Sequence, residues 1–100
     1  MLVKVLIRRK FKPGRAKEVN ALLNEFRAGA MNRKGYVSGH TLVSEKDPQS
    51  LLVISTWQSL EEWLDWKNSQ ARKSFEAMME IHQEEPTTFE EYMLKNPSLK

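Results

Sequence analysis

The segment "LLVISTW", Leu51 to Trp57, is apolar on both parities of an extended chain: Leu52 and Ile54 fall on one, Leu51, Val53 and Trp57 on the other. Successive side chains of a strand point to opposite faces, so a strand here needs apolar cover on both. "LVKVLIRRKF", Leu2 to Phe11, repeats the pattern, with Val3, Val5 and Ile7 on one parity and Leu2 and Leu6 on the other. A sheet built from both segments has two apolar faces, and helices on one side cover only one of them. The remaining patch is larger than a monomer ordinarily leaves in water. The simplest cover is a second copy packed sheet to sheet about a two-fold axis, so a homodimer is expected.

The rest of the chain supplies those helices. "KPGR", with Pro13 and Gly14, is a turn that opens a helix. Ala16, Val19, Leu22, Leu23, Phe26 and Ala30 then recur at helical spacing to about Asn32, and Gly35 stands where a helix stop is expected. A second strand is predicted over Tyr36 to Ser44, "EKDPQS" is a turn by composition, and a third strand follows over Leu51 to Trp57. Ser59 followed by Glu62 fits a capping box, so a short helix starts at Leu60 and carries Trp63 and Leu64. A second helical stretch carries Ala71, Phe75, Met78, Met79 and His82 and is expected to run to Pro86. "TTFEEYML" reads as a fourth strand. The order strand, helix, strand, strand, helix, strand predicts an α+β ferredoxin-like sandwich (β-α-β-β-α-β) with an antiparallel sheet and helices on one face. One domain is expected over residues 1–95, with a loose tail over residues 96–100.

Composition narrows the function. The chain has no cysteine, which rules out disulfides and thiolate metal sites. No run approaches the length of about 18 apolar residues that a membrane span needs, and the strand-like start shows no signal-peptide cleavage site. A reducing, cytoplasmic location without membrane partners is expected. Seven basic residues precede the first acid, Glu18. Such a run can mark a nucleic-acid face, but it reads here as a solvated strand end and helix start. The first strand has no aromatic side chain to stack a base, so no nucleic acid is expected. His40 and His82 lie on different elements without metal-ligand spacing, and no nucleophile motif is present.

"GYVSGHTL", a following "DP" turn, and "LLVISTWQSLEEWLDWKNSQARKSF" together resemble the antibiotic biosynthesis monooxygenase (ABM) domain over about Leu2 to Leu94. The most specific residues are Ser55, Thr56, Trp57, Ser59, Trp63, Trp66, Ser69 and Arg72. The resemblance implies a ferredoxin-like domain that dimerises into an α+β barrel. It also implies oxidation of a small phenol, anthrone or hydroquinone by molecular oxygen, with no metal or flavin cofactor. Haem-degrading members of the superfamily carry an Asn, a Trp and a His at positions that hold Ile7, Trp66 and Glu76 here, so only the Trp is matched. A carboxylate is a poor substitute for an imidazole iron ligand, so haem degradation is not favoured.

Oxidation of a phenolic ring needs a dry aromatic pocket, a base, and donors for the developing oxyanion. His40 is the candidate catalytic base by its intrinsic titration range. Trp57, Trp63 and Trp66 are candidate walls, and Tyr36 and Arg72 candidate orienting groups. Each has a structural reading as well: core for Trp57 and Trp63, core or wall for Trp66, core or interface edge for Tyr36, a hydrogen-bonded strand residue for His40, a surface charge for Arg72. Trp66→Ala is expected to weaken ligand binding more than folding. The main alternative is a non-catalytic dimeric module that binds a small aromatic or hydrophobic ligand or serves a structural purpose.

Overall fold

The computed structural model describes residues 1–95 of the chain. Its elements are β1 (Val3–Lys10), α1 (Ala16–Met31), β2 (Tyr36–Val43), β3 (Ser50–Trp57), α2 (Leu60–Lys67), α3 (Gln70–Glu80) and β4 (Thr88–Met93). The strands form one antiparallel sheet in the order β2-β3-β1-β4. This is the ferredoxin-like arrangement expected, with the second helical layer split into α2 and α3. The loose tail expected over residues 96–100 lies outside the described residues.

The two strands that are apolar on both parities, β1 and β3, are the two interior strands of the sheet. Val3, Val5, Ile7 and Arg9 of β1 face the helices and are buried. On the other face Leu6, Leu52 and Ile54 are half-buried, and Leu42, Tyr92 and Leu94 are exposed. The helix side holds two apolar clusters. One gathers Val3, Val5, Ile7, Trp57, Trp63 and Trp66. The other gathers Phe11, Val19 and Met79.

Serine caps set the helices. The Ser59 hydroxyl accepts the amide of Glu62 (3.2 Å) and donates to its carboxylate (3.0 Å), closing a cap at the start of α2. Ser69 accepts the amide of Arg72 (3.2 Å) and donates to the carbonyl of Trp66 (2.8 Å). One hydroxyl therefore ends α2 and begins α3, which fixes Trp66 and Arg72 relative to each other.

Two local expectations are corrected. α3 ends at Glu80, well before Pro86, and His82 lies in the turn beyond it. The backbone after α3 turns away to pair with the extension of β1: Lys12 donates to the carbonyl of His82 (2.8 Å) and Glu84 to that of Lys10 (2.9 Å). These long-range bonds replace the next helical turn. The second correction concerns β2. A bulge between Tyr36 and Ser38 shifts its register, so Tyr36 lies on the opposite face from Ser38, His40 and Leu42. Simple alternation would have placed all four together.

Candidate active site

The sheet and the three helices do not close completely where β2 passes α1. A cavity of about 70 Å³ remains, open along one side. Tyr36, Gly39 and Thr41 line it from β2, and Val53, Ser55 and Trp57 from β3. Ile7 and Arg9 of β1 and Arg72 of α3 also line it, with Phe26, Arg27 and Ala30 of α1 and Trp63 and Trp66 of α2. Gly39 keeps the space clear: a Cβ there would sit 2.8 Å from the Tyr36 hydroxyl.

Tyr36, Trp57, Trp63, Trp66 and Arg72 are all brought to this cavity. Tyr36 packs edge-on against Trp57 (centroids 5.4 Å, interplanar angle 85°), and Trp57 against Trp63 (5.8 Å). The indole N–H of Trp57 donates to Ser55 Oγ (3.2 Å) and that of Trp63 to Glu91 Oε2 (2.8 Å). Trp66 is only 3% exposed and has the Arg33 guanidinium 4.8 Å from its ring centroid. Wall and core are therefore the same residues, and the two readings of the tryptophans merge. Because Trp66 is in the core, the expectation that its removal affects binding more than folding no longer holds.

His40 is placed differently. It borders the cavity from β2, yet its strand partner is Ile54, which pairs in turn with Leu6. Paired residues of neighbouring strands share a face, and Leu6 and Ile54 are on the side away from the helices. A side chain at Gly39 would point to Tyr36 and the cavity, so that of His40 points the other way. The residue expected as the catalytic base thus projects from the outer sheet face, where it is exposed.

The electrostatic centre lies elsewhere. Arg9 and Arg72 are both buried, at 4% and 3% exposure. Arg9 grips Glu76 with both terminal nitrogens (Nη1–Oε2 2.7 Å, Nη2–Oε1 3.0 Å) and also donates to Gln83 and Thr87. Such a fork is the strong, directional form of the ion pair. Burial disfavours ionisation of Glu76, but hydrogen bonding and charge from Arg9 outweigh it and hold the carboxyl below its ordinary range. Arg72 Nη2 forms a longer ion pair with Glu76 Oε1 (3.4 Å), and it and Arg9 Nε are buried without a hydrogen-bond partner among the described residues. The Arg72 guanidinium lies 4.9 Å from the Phe89 ring centroid and 5.5 Å from those of Trp63 and Phe26. Burial pushes Arg72 down to about 10, against the pull of Glu76.

The surface reading of Arg72 and the reading of Arg9 as part of a solvated strand end are corrected: both are interior. Arg9 carried a signal, since it shares the parity of Val3, Val5 and Ile7. Glu76 also carried one, four residues from Arg72 on the same helix. The Arg9–Glu76 pair itself spans 67 residues of sequence, so neither signal identified the partner.

A family model, Antibiotic biosynthesis monooxygenase, matches residues 2–78. The chain belongs to that family. Solved structures named antibiotic biosynthesis monooxygenase are among those it resembles, one with a TM-score of 0.84 at 17% identity over 94% of this chain and 99% of that one. A conserved protein from Methanosarcina mazei Go1 superposes with a TM-score of 0.88 at 15% identity, over 95% of this chain and 94% of that one. SnoaB, a cofactor-independent oxygenase from Streptomyces nogalater, gives 0.84 at 11% identity over 99% and 98%. Rv0793 from Mycobacterium tuberculosis gives 0.85 at 15% over 98% and 99%. At these identities the likeness establishes the fold alone. No curated protein matches the chain significantly by sequence.

Glu76, which the resemblance sets at the haem-ligand position, has both oxygens held by Arg9. His82 is outside the cavity lining, with Nδ1 3.0 Å from Arg15 Nη1. No cluster of three or more His, Cys, Asp or Glu suited to a metal occurs among the described residues, and no described helix is long and apolar enough to cross a membrane.

Proposed function

We propose that the chain is a cofactor-independent monooxygenase for a small electron-rich aromatic, working as a homodimer. The observation that carries this reading is the aromatic cavity with a buried cation in its lining. A phenol reacts with oxygen far more readily as the phenolate, and Arg72 is placed to stabilise that anion in a site largely screened from water. Tyr36 is the second group able to orient the ring, and Trp57, Trp63 and Trp66 wall it in. In the overall change a ring carbon exchanges its hydrogen for one atom of O2, the phenolic proton is lost, and the second oxygen atom leaves as water. The products are the quinone and water.

Oxygen uptake by the purified protein without added metal, against phenols, hydroquinones and anthrones, tests this. Protein-dependent uptake is expected. Loss of a general base costs on the order of 100-fold or more, whereas His40→Gln is expected to show no such loss, because the sheet separates its side chain from Arg72. A 100-fold loss would instead make His40 the base and move the reacting ring to the outer face. No uptake from any ring would leave a small-molecule-binding module.

The dimer rests on the outer sheet face. Leu6, Leu42, Leu52 and Ile54 form an apolar stripe there, flanked by the Arg8–Glu90 ion pair (2.9 Å) and by Lys4 bonded to Thr56 (2.7 Å). A stable interface buries roughly 800 Å² per partner, an area on the scale of such a sheet face. Sedimentation at micromolar concentration is expected to give twice the mass of one chain; a monomer under those conditions would remove this part of the reading.

A further inference from the structure

The cavity is lined by three arginines, Arg9, Arg27 and Arg72, and by no carboxylate. Arg9 is neutralised by its fork to Glu76, and that fork occupies both carboxylate oxygens. Two guanidiniums thus share one carboxylate, and Arg72 is the surplus charge. A buried cation with an unpartnered N–H is costly unless something completes it. The rings of Phe26, Trp63 and Phe89 supply part of that through their faces, but a ring face is no acceptor for the buried Nη2.

We propose that the cavity is an acid-binding site: its ligand is a single-ring aromatic acid whose carboxylate pairs with Arg72. This rests on the monooxygenase reading only for the fate of the ligand, not for its capture; a phenol oxygen ortho to the carboxylate lets the one guanidinium face both groups. Size argues against anything larger than one ring. A benzene-sized ligand fits a cavity of about 150 Å³, roughly twice the 70 Å³ enclosed here. The cavity is open along one side and the exposed Arg27 and Thr41 are in its lining, so a bound ring extends past this volume into the opening. A three-ring anthrone would require α1 to leave the sheet. Arg27 adds a second cation where an acid would enter.

Calorimetric titration of 2,5-dihydroxybenzoate against 2,5-dihydroxybenzamide tests this with a near-isosteric pair that differs in charge. The acid is expected to bind at least about tenfold more tightly, since hydrogen bonds to charged groups are worth about 1.5–3 kcal/mol. Arg72→Met should abolish that preference, and Arg72→Lys should keep part of it. The melting temperature of Arg72→Met should not fall, because an apolar side chain replaces an incompletely paired buried charge; a merely structural arginine would lower it. Equal binding of acid and amide, no binding of the acid, or an unchanged preference in Arg72→Met would each overturn the proposal. If Arg72→Met does not fold, Arg72→Lys decides: a reduced acid preference supports the proposal and an unchanged one overturns it. Acid-selective binding without oxygen uptake would sustain this inference and sink the monooxygenase reading. Uptake from neutral hydroquinones with no acid preference would do the reverse.

Discussion

Glu76→Gln is expected to destabilise the protein by about 3–5 kcal/mol, the cost of removing one member of a buried ion pair. Glutamine keeps an acceptor for Arg9 but removes the negative charge that Arg9 and Arg72 share. Both guanidiniums are then buried cations with no counter-charge, and each is less than 5% exposed. For a domain of this size 1 kcal/mol moves the melting temperature by about 4–8 °C, so a fall of at least roughly 12 °C should be seen by circular dichroism. Replacing the pair together, as Arg9→Met with Glu76→Met, should recover much of the loss, since apolar groups of similar volume often stabilise as well as a buried pair. A Glu76→Gln loss under about 1 kcal/mol would mean that water reaches the network.

The same network has a pH signature. The folded-state value of Glu76 lies below its ordinary 4.5, so the ionised carboxylate contributes stability that is fully present above that value. The contribution is lost as pH falls through the folded value. Glu76→Gln lacks it at every pH. The gap between wild type and variant should therefore be constant above pH 4.5 and narrow below it.

Trp66→Ala is the second large effect, an expected loss of about 3–5 kcal/mol for deleting a buried tryptophan. The ring lies against α1 so closely that a Cβ at Gly29 would be 2.8 Å from its Cη2. Ala30 packs on the same cluster. Neither can move in to fill the void without shifting the whole helix. The urea midpoint should fall with an unchanged slope, the mark of lost stability without a change in the unfolded chain. A loss below about 1 kcal/mol would show that Trp66 is wall and not core. Trp66→Phe, which keeps an aromatic wall, should fold well enough for its effect on ligand binding to be read separately.

The chain by itself determined its elements and their order, because those are local properties. A run of apolar and β-branched residues marks β1, period-3.6 spacing marks α1, and the Ser59–Glu62 pair marks the start of α2. The apolar runs on both parities of "LLVISTW" and "LVKVLI" are legible as strands covered on two sides, and both became interior strands. The tryptophans, Tyr36 and Arg72 were legible as a group through the family resemblance. What only the tertiary structure decided was which way particular side chains point and which charges meet. A one-residue bulge at the start of β2 turned Tyr36 toward the helices and left His40 on the other face. Pairing of the chain after α3 with the extension of β1 ended that helix early. Arg9 and Glu76, 67 residues apart, found each other between β1 and α3. Each outcome depends on partners distant in sequence, and a strand's register or a buried charge's counter-ion has no energy until both partners are in place.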